Sequence, residues 1–571
     1  MMFKDFDKKT WIFIVVILLL GIFVRLYGYQ DVGYWGDDMT TLPTGLLYFY
    51  PHTLFPGLLG QGEPILGNII IASGCRLSGE DFSGVTEMQK APMFYPGREI
   101  LIGPALAKSD FYCHLPIYIG GIIALLIISL LAILLLEKYS AIYSIIFFSF
   151  FPVLLKFSTW IHVDIFSYVF IWTGLLFLWL FYKSEYTQKW KEILLFCLAS
   201  LFFAFGFMTK LPNLIFIVFA FWIFCLKYKI TIRKFFLESR GSLSDRFKSL
   251  EKQELKVILI ISCLSVIIFL FVCWILLEFN FGNFFAILAK YKTTNAEVTS
   301  FGINKEFFSN LYGFILGFSI IDLIILIASL IGSYSFIKYF FKNQKKKNEI
   351  FILSLFVFSI FSLLFFSAFK YQRVFFVLVP GIIFFITYNL FNEKSFIFKL
   401  FKERTKIIFL ILMILSIVLG FCTSIMQAPY FYEQNSLLCK VSDKCDLDTN
   451  GYSAKITAET MLNLLQENET YYPHGISIYY IRNSDGLYHS YFEQAFIQQF
   501  NKKSGINDYI TYYKPENRTL RYILVGQNDI ESFNNEIKLF KETYEPNGYI
   551  QIKNKNITAI YDIYNLNKSK N

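Results

Sequence analysis

The sequence predicts an α-helical polytopic membrane protein of about 11 transmembrane helices, followed by a C-terminal extracytoplasmic α/β domain. Three observations predict it. Apolar residues gather in blocks of about 20, the length that crosses a bilayer core as a helix. Lysine and arginine concentrate in alternate connections between those blocks, as cytoplasmic loops require. Near residue 426 the chain turns polar and rich in tyrosine and asparagine. Composition agrees: of 571 residues 55% are hydrophobic and only 17% charged, against roughly 25% charged in soluble domains, which excludes a single soluble globule.

The first block runs from Trp11 to Tyr27 behind Lys4, Lys8 and Lys9. No small-residue cleavage pattern follows, so it reads as a retained signal anchor. Further blocks lie at 115–136, 140–157, 164–182, 192–209, 211–227, 257–277, 311–338, 350–369, 373–391 and 406–425. With the N-terminus inside, the even-numbered connections are cytoplasmic, and they hold the dense basic runs Lys227 to Lys256, Lys338 to Lys347 and Lys394 to Lys406. The net charge of +10 is then mainly a topology signal, and no nucleic-acid partner is needed to explain it.

Outside lie a long first loop (28–114), a short loop from Ser158 to Val163, a turn at Lys210, a loop from Glu278 to Asn310, a link from Phe369 to Gln372, and the tail. Within the first loop, Ile65 to Ala72 is apolar but too short to cross, and reads as a re-entrant or interfacial segment. The tail (426–571) carries alternating stretches around Gly475 to Tyr480 and Arg521 to Val525 that predict strands in a domain separate from the membrane domain (1–425). Cys75, Cys113, Cys439 and Cys445 all fall outside, where two local disulfides fit an oxidising compartment.

Charges beside span ends on the side without basic loops are the informative ones, because a charge in the bilayer is costly. Arg25 ends the first span, and Trp35-Gly36-Asp37-Asp38 follows. Glu63 precedes the short apolar stretch, His162 and Asp164 stand at the mouth of the fourth span, Lys210 sits between the fifth and sixth, and Lys370, Gln372 and Arg373 open the tenth. Taken singly, each has an ordinary reading as a helix cap or a snorkelling base. Together they place acids beside cations at one membrane face. A carboxylate there can take a proton from a hydroxyl while Lys or Arg holds an anionic phosphate. Asp322, near the middle of the eighth span, is a separate ionisable group whose position invites a function.

These residues carry a resemblance. Arg25-Leu26-Tyr27 followed by Trp35-Gly36-Asp37-Asp38 resembles the first outer loop of the GT-C superfamily of membrane glycosyltransferases, in particular the protein O-mannosyltransferase and lipid A aminoarabinose transferase branch. Gly62-Glu63-Pro64-Ile65-Leu66 looks like a degraded His-Pro-Pro-Leu element, and Ser158 to Asp164 is similar to the family's second-loop segment. Gly206-Phe207-Met208-Thr209-Lys210 and Lys370-Tyr371-Gln372-Arg373 to Pro380 resemble two further elements, so the likeness covers most of residues 20–390. Asp38 departs from the family's usual Glu, and Glu63-Pro64 from its His-Pro-Pro.

The resemblance implies transfer of a sugar from a polyprenyl-phosphate carrier to a hydroxyl acceptor on protein, glycan or lipid, with inversion, at the outer or lumenal membrane face. It implies Asp37 as the catalytic carboxylate, supported by Asp38 and Asp164. Lys210, Arg373, Arg25 and Lys370 are then donor phosphate ligands, and Glu63, His162 and Trp35 substrate-binding residues. No cofactor is firmly implied. Asp37, Asp164 and His162 form an alternative set for a divalent metal, although the Trp-Trp-Asp sequence of metal-dependent oligosaccharyltransferases is absent. A transporter or flippase of lipid-linked sugars is the competing reading; it would favour mid-membrane charges and two similar halves, and the sequence shows no internal repeat.

Overall fold

The computed structural model describes residues 6–27, 38–58, 64–88, 103–185, 189–228, 252–294, 347–366, 376–391, 404–427, 469–474, 478–483, 486–491, 519–526, 544–554 and 557–569. Long apolar runs become the helices α1 (Lys8–Leu26), α6 (Asp110–Leu135), α9 (Asp164–Lys183), α10 (Lys189–Phe207) and α12 (Lys252–Leu276). Five described helices are long and apolar enough to cross a membrane, and the chain is an integral membrane protein. The expected span 311–338, with Asp322, lies outside the described residues.

Boundaries differ from expectation at prolines, as two blocks show. The block 140–157 is two helices, α7 (Lys138–Phe150) and α8 (Pro152–Phe157), because Phe151 is extended and Pro152 opens a new first turn. Within the block 373–391, the described residues form a short tight turn at 376–378 and then α15 (Val379–Phe391). The outer loops are also more helical than a loop reading implies: α2 (Asp38–Leu47), α3 (Leu66–Leu77), α4 (Val85–Met88) and α5 (Gly103–Lys108) lie in the first, and α13 (Gly282–Thr294) in the loop after α12. The short apolar stretch before residue 72 is the start of α3, and a disulfide between Cys75 and Cys113 fastens α3 to the start of α6.

Polar contacts sort the helix ends into two sets. At one end, Lys138 pairs with Asp7, joining α7 to the start of α1. There too, Asn348 of α14 (Lys347–Phe366) donates to the carbonyls of Leu134 and Leu135, and Lys347 to that of Lys183. Lys227, the last residue of α11 (Ile215–Lys227), donates to the Phe181 carbonyl (2.5 Å) and the Ser184 hydroxyl (2.7 Å), and pairs with Glu192 of α10 at 2.8 Å. This is the end that carries the basic connections. At the opposite end, Lys210 reaches Asp164 and Asn213 donates to Ser167. Residues 210, 213 and 227 therefore face 164, 167 and 181 at a constant separation of 46, so α9 and α11 run parallel and in register along their length.

Aromatic and β-branched side chains fill the centre, with Trp172 of α9 donating to the Val377 carbonyl and Ser144 of α7 bonded to Thr387 of α15. Outward faces of α12 and α16 (Arg404–Gln427) are apolar and exposed, among them Leu270, Phe271, Leu415 and Leu419, as lipid contact demands. In the tail, β1 (Glu469–His474), β4 (Thr519–Gly526), β5 (Tyr544–Asn554) and β6 (Ile557–Ser569) form a mixed sheet in the order β1-β4-β6-β5, and β2 (Ile478–Asn483) pairs with β3 (Gly486–Tyr491) as a hairpin. The helices expected beside these strands, and Cys439 and Cys445, lie outside the described residues.

Candidate active site

Three sequence segments meet at the end opposite the basic loops. The first is the start of α9. Asp164 occupies its first turn, where the helix dipole favours a carboxylate, and its side chain is 1% exposed. One carboxylate oxygen accepts from Lys210 Nζ; the other lies 2.9 Å from His162 Nδ1. The Asp164 amide nitrogen is also 3.3 Å from that Nδ1. A protonated Nδ1 serves the carboxylate and an unprotonated one accepts from the amide, so His162 has a local partner in either state.

The second segment is the turn after α10. Lys210 is extended, its amide donating to the Gly206 carbonyl, while the following prolyl turn returns the chain into α11. Asn213 fastens this turn from both sides, donating to the Ser167 hydroxyl at 2.7 Å and the Gly206 carbonyl at 2.8 Å. Lys210 is thereby held beside the first turn of α9. Asn213 and Ser167 went unnoticed in the sequence: an Asn after Pro reads as a plain turn residue, and a Ser in an apolar helix carries no signal.

The third segment is the start of α3. The Leu66 amide donates to the Met208 carbonyl at 3.0 Å, and Gly67 abuts Val163 and Thr209 so closely that a Cβ would stand 2.8 Å from the Val163 Cβ and 3.0 Å from the Thr209 methyl. On the other side of α3, Gly45 of α2 rests on the Asn68 carbonyl, with no room for a side chain. Asp38 opens α2, two turns before Gly45. The starts of α3 and α9 and the turn at Lys210 thus pack together, and α2, opened by Asp38, rests on the other side of α3. Behind it, the Trp160 and His162 rings lie 4.9 Å apart, Phe157 stacks on Trp160 at 5.6 Å, and Phe376 packs on Phe157 at 6.5 Å. Lys156 lies over the Trp160 ring at 5.3 Å and is buried, a second cation near the site that the sequence reading passed over.

No family model matches the sequence, and none of the curated proteins does. Among solved structures, ArnT from Cupriavidus metallidurans in the apo state is similar, with 11% identity over 97% of each chain and a TM-score of 0.46.

Arg25 has other employment. It is fully buried, and its guanidinium donates to the carbonyls of Gly21 (2.8 Å), Ser149 (3.0 Å) and Phe148 (3.1 Å), tying α1 to the end of α7. Trp35, Asp37, Glu63, Lys370 and Arg373 lie outside the described residues, as does the side chain of Asp38. Among the described residues no three metal-ligating side chains gather. Of the alternative metal set, His162 and Asp164 are adjacent, but Lys210 already holds one Asp164 oxygen, and its ammonium would repel a cation there.

Proposed function

We propose that this chain is a membrane glycosyltransferase, moving a sugar from a polyprenyl-phosphate carrier to a hydroxyl acceptor with inversion, at the membrane face opposite its basic loops. The observation that carries this reading is the buried Asp164–Lys210 pair, whose neighbours Val163 and Thr209 pack on α3, which in turn rests against α2, the helix opened by Asp38. Lys210 is a cation already poised in a low-dielectric site, and a donor phosphate would compete with Asp164 for it. Phe376, shortly after Lys370 and Arg373, packs toward His162 through Phe157, which supports Arg373 and Lys370 as further phosphate ligands. Arg25 is assigned instead to holding α1 against α7.

In the reaction, Asp37 takes the proton of the acceptor hydroxyl as its oxygen bonds to the anomeric carbon. The bond from that carbon to the phosphate oxygen breaks, and the carrier phosphate leaves with the electron pair. Lys210 and Arg373 stabilise the charge that grows on the phosphate, and Asp38 and Asp164 hold the acceptor and the lysine. Glu63, His162 and Trp35 have the role of binding the substrates. The leaving group is a good one, so rate enhancement rests on orientation and electrostatics.

Asp37→Asn is expected to lower transfer by about 10²- to 10⁴-fold with unchanged folding, measured with a polyprenyl-phosphate sugar in membranes. Full transfer by this variant would overturn the assignment.

A further inference from the structure

Asn68 is the third residue of α3 and only 3% exposed, yet its Oδ1 is buried without accepting a hydrogen bond. Its place is informative. The residue before it, Gly67, touches Val163 and Thr209, the neighbours of Asp164 and Lys210 in sequence. Its own carbonyl lies under Gly45, and Asp38 shares that face of α2, seven residues earlier. Asn68 therefore stands between the helix opened by Asp38 and the Asp164–Lys210 pair.

A carboxamide oxygen removed from water and left unpaired weakens a fold, because the lost hydration is not replaced. Purely structural packing between α2 and α3 would be better served by Leu. An amide offers an acceptor and two donors side by side, the pattern that fits sugar hydroxyls, which both donate and accept. It is neutral, so it adds no charge to phosphate binding, which Lys210 can supply. We propose that Asn68 binds a hydroxyl of the sugar being transferred and helps decide which sugar is accepted. This rests on the transferase reading above.

The experiment compares wild type with Asn68→Leu and Asn68→Gln, measuring melting temperature in detergent and binding of two probes, bare polyprenyl phosphate and a polyprenyl-phosphate hexose. Asn68→Leu is expected to melt no lower than wild type and to bind the bare lipid equally, but to bind the sugar-bearing lipid about tenfold more weakly, the worth of one hydrogen bond. Asn68→Gln, which keeps the amide one methylene further out, should fall between. If Asn68→Leu melts several degrees lower, or if it binds both lipids as wild type does, the inference fails while the transferase reading stands. A wild type that binds neither lipid overturns both.

Discussion

Lys210 and Asp164 show what a single buried charge does when its partner is removed. With side chains 9% and 1% exposed, neither ion has much water to fall back on. Lys210→Met strands the carboxylate beside His162, and a loss of about 3–5 kcal/mol in stability is expected, as for other broken buried pairs. Adding Asp164→Leu to Lys210→Met should restore much of it, since two apolar groups leave no orphan charge; thermal unfolding of the single and double variants checks this. Transfer should stay lost in both. Asp164, His162 and Lys210 were legible in the sequence because charge beside a span end is rare and must be accounted for. Asn213, Ser167 and Asn68 were not, because neutral polar residues cost little enough in such segments to occur without a task. Arg25 was legible as unusual but not as to role: the carbonyls it serves belong to a helix more than a hundred residues away.

At the scale of elements, α13 and its turn form a cover over the outer end. Phe284 and Ile287 of α13 pack in one apolar cluster with Ile65, Leu66, Phe207 and Met208, the residues flanking the site. The turn into α13 puts Glu278 and Phe279 at φ of 53° and 60°, the left-handed region that side chains disfavour. Among the bonds that hold it, the Trp274 indole donates to the Phe279 carbonyl, and His52 Nε2 meets Glu278 Oε1 at 2.8 Å. His52 Nδ1 also faces the Tyr50 carbonyl, so both bonds together call for the protonated ring. Burial depresses its pKa, but the hydrogen bonds it donates to the Tyr50 carbonyl and to Glu278 outweigh that and raise it above the usual histidine value; Tyr48, stacked on the ring, is pushed upward too.

A raised histidine pKa means the latch is fully formed below the ordinary value of about 6.5 and is lost as pH climbs through the raised one. Hydrogen exchange in 278–294 should therefore quicken with alkaline pH beyond its intrinsic rate, and His52→Gln should abolish that excess. The sequence showed a loop with Lys, Tyr and Asn here. It could not show the latch, because His52 and Glu278 are 226 residues apart.

For the whole molecule, threading was the most readable feature. Alternation of basic connections sorted the ends of the described helices before any contact was known, and the contacts between Lys227, Ser184, Glu192, Lys347 and Lys183 gather on the side it assigned to them. Packing between helices was less readable, since runs that are apolar all round give no preferred face. The disulfide joins the outer-loop helix α3 to the long helix α6, and its closure spans 38 residues. Cys75→Ser should lower unfolding stability by about 2–4 kcal/mol, seen as a drop in melting temperature that reducing agent reproduces in wild type.

The shared register of α9 and α11 has a mechanical consequence. Each end of α9 is gripped by a lysine, Lys210 of the turn that leads into α11 on the carboxylate at its start and Lys227 at the end of α11 on the carbonyls at its finish. The grips are 17 positions apart in each segment, a rise of about 25 Å along α9. A piston stroke of one helix past the other would break both grips together. An anion that draws Lys210 away releases one only, so the cheaper motion is a swing, with the Lys227 end as its pivot and the substrate end as the part that travels.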